Sequence, residues 1–93
     1  MKVAYSPFAR GDLERIYEWI AKDSPRNAKS VAVRICDAIE EGLAFAPNMG
    51  HRGRTRDTLE WVVHGLPYIV VYRVDEGLDE LKVIAIFHGA QDR

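Results

Sequence analysis

The stretch YIVVYRV, residues 68–74, decides how the rest of the chain is read. β-Branched and aromatic residues fill it almost without a break, which is the composition of a strand inside a sheet. Successive side chains of a strand point to opposite faces. Tyr68, Val70, Tyr72 and Val74 therefore take one face, and Ile69, Val71 and Arg73 the other. Both faces are apolar, and one of them carries an arginine.

Similar runs lie on either side. LEWVVH (59–64) precedes it across a Gly65-Leu66-Pro67 break, and ELKVIAIFH (80–88) follows the turn DEGLD (75–79). Connections this short join antiparallel neighbours, so residues 59–88 read as a three-stranded meander. In the last run, alternation predicts Leu81, Val83, Ala85 and Phe87 on one face and Lys82, Ile84, Ile86 and His88 on the other.

The preceding half has a different period. KVAY (2–5) reads as a short strand that stops at Ser6-Pro7, where serine can cap a helix and proline suits its first turn. Ala9, Leu13, Ile16, Tyr17 and Ile20 then recur at helical spacing, with Asp12, Glu14, Arg15, Glu18 and Lys22 mostly on the other face. A second Ser-Pro in DSPRN (23–27) opens the stripe Ala28, Val31, Ala32, Ile35, Ile39 and Leu43, closed by Pro47 and Gly50. So short a link makes the two helices an antiparallel hairpin. NMGHRGRTRDT (48–58) has no periodicity and reads as a basic loop.

The predicted fold is α+β in the order β-α-α-β-β-β, a single domain over residues 1–93 with the helical hairpin packed on a mainly antiparallel sheet. No element remains to cover the other sheet face, which is expected to be concave or covered by a partner.

Composition narrows the function classes. Apolar residues make up 47% and charged ones 29%, as in an ordinary globular domain. A net charge of -1 removes the whole-molecule attraction for phosphate backbones that a basic nucleic-acid binder shows. The single Cys36 sits in a helical apolar pattern and is expected to be a buried thiol in a reducing compartment. MKVAYSPFAR lacks the apolar run of a secretory signal, and no stretch reaches the ~18 apolar residues of a membrane span. The expectation is a cytoplasmic protein without membrane contact. His51, His64 and His88 fall on separate elements without metal-ligand spacing, so neither metal nor cofactor is expected.

Taken together, YSPFARGDLERIYEWIA (5–21), the Pro47 and Gly50 pair after the second helix, PYIVVYRV (67–74) and VIAIFHGAQDR (83–93) resemble the ParE/RelE-like toxins of bacterial type II toxin–antitoxin modules. The resemblance spans essentially the whole chain and is stronger to the ParE branch, which includes plasmid-stabilisation toxins. It implies a toxin that binds DNA gyrase without bond chemistry of its own. It also implies a cognate antitoxin, ParD-like, partly disordered and DNA-binding, forming a hetero-oligomer with the toxin. RelE-like members instead cut messenger RNA on the ribosome with clustered basic residues, and the corresponding positions here are Glu60, Val62, Ile69 and Ala90. An acid, two apolar residues and an alanine cannot stabilise a phosphorane-like transition state. The ribonuclease alternative would rest on Arg73 and His88, and a nontoxic binding module of the same fold is the third reading.

The candidate contact residues for partner or target are Arg52, Arg54, Arg56, Trp61, Arg73, His88 and Arg93. The three loop arginines offer planar forks for phosphate or carboxylate, against a plainly solvated loop. Arg73 either pairs with an acid such as Glu60 or Asp92 or projects into the uncovered face. His88 is a polar strand end or, less simply, a general acid. Trp19 and Trp61 read by default as core or hairpin packing, although the face Trp61 takes depends on register. Val33 lies off its helix stripe and marks either a docking position or a scattered surface valine.

Overall fold

The computed structural model describes residues 1–90. Its elements are β1 (Lys2–Tyr5), α1 (Pro7–Ala21), α2 (Pro25–Asp37) continued by a π-helical turn over Ala38–Leu43, β2 (His51–Arg52), β3 (Leu59–Val62), β4 (Tyr68–Asp75) and β5 (Glu80–His88). The five strands form one sheet in the order β1-β5-β4-β3-β2. All neighbours are antiparallel except β1 and β5. The α+β arrangement read from the sequence is therefore present, with one strand more. His51 and Arg52, inside the expected basic loop, pair with Glu60 and Leu59.

Both helices begin as their Ser-Pro pairs dictate. Ser6 Oγ accepts from the Ala9 amide at 3.0 Å, and Ser24 Oγ from the Asn27 amide at 3.2 Å, each satisfying one of the amides that a helix start leaves over. After Asp37 the second helix widens, and the Ala44 amide reaches the Ile39 carbonyl five residues back at 2.9 Å. Ile35, Ile39 and Leu43 stay fully buried through this change. They meet Val70, Tyr72, Leu81 and Val83 from the sheet in one core between hairpin and strands.

Tyr72 ties that core to the chain that follows the second helix. Its hydroxyl donates to the Pro47 carbonyl at 2.6 Å and accepts from the Gly50 amide at 3.0 Å. A Cβ at Gly50 would lie 2.5 Å from that oxygen, so only glycine fits there.

The largest departure from the alternation reading is in β5. Val71 pairs with Ala85 but Tyr72 pairs with Val83, leaving Ile84 as a β-bulge. Beyond it the faces exchange. Leu81 and Val83 point toward the helices, but so do Ile86 and His88, while Ala85 and Phe87 turn to the distal side. β1 stops opposite Val83, and beyond that point α1 and its cap take up backbone groups of β5. Ser6 Oγ donates to the Ile84 carbonyl at 2.9 Å, and the Ile86 amide donates to Asp12 Oδ2 at 2.8 Å. Asp12, expected on the polar side of the first helix, is accordingly buried. Its other oxygen holds Arg15 at 2.5 Å.

Trp19 also differs from its default reading. It packs in neither the core nor the hairpin and is 71% exposed.

Candidate functional site

The sheet face turned away from the helices, the distal face, is the first candidate. Register arranges it in rows across β3, β4 and β5. Val62, Ile69 and Phe87 make one apolar row, Glu60, Val71 and Ala85 the next, and Arg73 and Lys82 a basic one. Val62 is exposed, Ile69 and Val71 are half-buried, and both cations are exposed. Between the last two rows lies a hollow of about 300 Å³ with Arg54 and Arg73 among its walls and Val71, Ala85 and Phe87 among its apolar lining.

The arginine loop is held firmly against this face. The Gly53 amide donates to the Thr58 carbonyl at 2.8 Å, and the Thr58 hydroxyl, buried, donates to the Thr55 carbonyl at 2.6 Å. Glu60 Oε2 accepts from the Arg54 amide at 3.0 Å, so Glu60 is spent on the loop. Among the described residues Arg73 forms no salt bridge. Asp92, the other acid considered for it, and Arg93 lie outside the described residues. Arg52, Arg54 and Arg56 together border a second hollow of about 530 Å³ around the loop, but only Arg54 shares a hollow with Arg73.

Two sequence candidates sit elsewhere. Trp61 pairs with Val70 and packs, half-buried, against the core on the helix side. His88 pairs with Tyr68 and stands edge-on to its ring, with centroids 5.5 Å apart. Its Nδ1 accepts from the Ala90 amide at 3.0 Å. His88 and Arg73 thus point to opposite faces of the sheet and do not share a site.

On the helix side His88 borders a cleft of about 490 Å³ between α1 and the sheet end, together with Asp12, Arg15, Ile16, Trp19, Tyr68 and Ile86. Burial raises the Tyr68 hydroxyl above its ordinary pKa. The cleft is not legible in the helix period, because that period puts Asp12 on the polar side and Trp19 reads by default as core or hairpin packing. A signal was present: Phe8, Arg15 and Trp19 recur seven and then four residues apart, a second stripe beside the apolar one.

Val33 is exposed on α2. Cys36 is half-buried, and desolvation pushes its thiol above the usual range, the opposite of what a nucleophilic cysteine needs. Among the described residues no group of His, Cys, Asp and Glu could hold a metal ion, and no helix is long and apolar enough to cross a membrane.

The family model described as the ParE toxin of type II toxin-antitoxin system, parDE, matches residues 3–93. The candidate toxin Y4kP of Sinorhizobium fredii is 34% identical over 79 residues, covering 85% of this chain and 78% of the relative. Among solved structures, the chromosomal ParDE system from P. aeruginosa superposes with a TM-score of 0.79 at 18% identity over 95% of each chain. The isolated E. coli RelE toxin superposes at 0.68 and 13% identity, covering 99% of this chain and 87% of that one. Identities this low establish a shared fold.

Proposed function

This chain belongs to the family of ParE toxins of type II toxin–antitoxin systems, and from that premise we propose that it arrests growth by binding a target, DNA gyrase, and does not cut RNA. The observation that carries this reading is the make-up of the distal face. Val62 and Ile69, two of the positions where RelE-like enzymes keep basic residues, are cross-strand neighbours there, and Glu60 lies on the same face one row away. An exposed valine, an isoleucine and a glutamate meet where a phosphate would need cations. Arg73 and His88, the residues left to a ribonuclease, face apart.

Neutralisation follows from the same surface. The apolar pair Val62 and Ile69, with Arg54 beside the neighbouring row and Arg73 and Lys82 in the row beyond it, suits a segment of the cognate antitoxin that orders as it binds, burying its own apolar residues against the pair and setting acids against the cations.

Purified protein is expected to inhibit supercoiling by gyrase and to leave ribosome-bound messenger RNA intact. RNA cleavage that disappears in Arg73→Ala would overturn the binding reading. Growth arrest on expression, relieved when the antitoxin is coexpressed, separates a toxin from a nontoxic module.

A further inference from the structure

The outer side of α1 carries a feature that the distal face does not explain. Phe8, Arg15, Trp19 and Lys22 form one stripe along the helix, aromatic and cationic side chains in alternating order. Arg15 stands over the Phe8 ring, 5.9 Å from its centroid, and Lys22 over the Trp19 ring at 5.1 Å. Both rings lie at the surface, with Phe8 57% and Trp19 71% exposed. Large aromatics left in water, one of them walling a cleft, with cations over their faces, are the composition of interface anchors.

We infer that this stripe and the adjoining cleft form a second docking surface, separate from the distal face, for an acidic peptide segment that inserts one large apolar side chain. The cleft supplies the pocket, with Ile16 and Ile86 as apolar lining and Trp19 as a wall. Arg15 and Lys22 supply the charge. The Arg15 guanidinium spends one contact on Asp12 and remains 64% exposed, so donors are left for a carboxylate. Asp12 itself is fully engaged by Arg15 and the Ile86 amide. Glu14 and Glu18 lie one step further round the helix and repel an acidic segment from that flank, which holds it over the cleft. A nucleic-acid strand fits less well. The stripe offers two cations, Arg15 and Lys22, too few to follow a backbone that carries a charge at every nucleotide.

The test uses the full chain and a fluorescently labelled short peptide of glutamates flanking a single phenylalanine, with a lysine counterpart as control. Anisotropy titrations at low salt should give saturable binding of the glutamate peptide at least about tenfold tighter than the lysine peptide, and about tenfold weaker binding to Trp19→Ala. Lys22→Glu should shift the preference toward the lysine peptide. Both substitutions fall on exposed side chains, and circular dichroism confirms that the variants are folded. Equal binding of the two peptides, no saturable binding, retention in Trp19→Ala, or displacement by a single-stranded oligonucleotide better than by unlabelled glutamate peptide would each overturn the inference. Arg73→Ala should leave this binding unchanged, which separates its failure from that of the distal-face reading.

Discussion

β4 and β5 lie side by side with similar apolar sequences, yet only β4 keeps its alternation. Tyr68, Val70 and Tyr72 are buried toward the helices, while Ile69, Val71 and Arg73 turn away. β5 begins in phase with it and changes face at Ile84. The difference lies outside both strands. β1 stops opposite Val83, and the backbone groups of β5 left beyond it must find partners. Ser6 and Asp12 of the first helix and its cap reach the Ile84 carbonyl and the Ile86 amide. Nothing of the kind is offered to β4, whose special contact, the Tyr72 hydroxyl, fastens a loop and leaves the ladder alone.

The contrast can be broken most forcefully at Asp12. Asp12→Ala removes the buried acceptor of the Ile86 amide and is expected to cost about 2–3 kcal/mol in chemical denaturation. Hydrogen exchange should accelerate at Ile86 and leave the β4 amides protected. Unchanged protection at Ile86 would mean that the bulge does not depend on the helix. Tyr72→Phe strikes the corresponding anchor of β4 and should cost less, about 1 kcal/mol, since it leaves only the Pro47 and Gly50 groups without a partner near the surface. Its exchange signature should appear around residues 47–50 and not within the strands.

A third outcome concerns pH. Burial raises the Tyr68 and Tyr72 hydroxyls above their ordinary value of 10.0. A raised acid holds its proton more tightly when folded, so its share of stability is complete below the unfolded value and is lost as pH rises through the folded one. β5 brings no such hydroxyl to the core. The alkaline fall in denaturation midpoint, followed from roughly pH 9 to pH 12, should therefore flatten in Tyr72→Phe and keep its slope in Asp12→Ala. The smallest effect is expected on the distal face. Arg73→Ala should alter stability by less than about 0.5 kcal/mol while weakening antitoxin binding in calorimetry, and a large loss of stability there would show that Arg73 serves the fold.

Much of the architecture was legible in the residues. Ser6-Pro7 and Ser24-Pro25 start both helices, and the Ala28 to Leu43 stripe runs into the core as its spacing requires. The sheet face free of helices follows from counting elements, but the loop that lies against part of it, where Ala85 and Phe87 are buried, does not. The candidate sites were less legible. Arg73 was placed correctly by alternation, because β4 is regular. His88 was assigned to the face of Lys82 and lies on the other, since one unpaired residue reverses every side chain beyond it. Trp19 reads as packing because an aromatic in an amphipathic helix usually packs, and only the tertiary structure leaves it 71% exposed with Lys22 over its ring.

By itself, then, the sequence determined the kinds of element, their order and the polarity of each stripe, because these depend on local backbone preference and on periods of 2 and 3.6 residues. The tertiary structure decided the register of β5, the burial of Asp12, the separation of Arg73 from His88 and the exposure of Trp19. Each depends on a partner far along the chain, seventy-four residues away for the Asp12 and Ile86 pair, and no local pattern encodes which backbone group a distant side chain will meet.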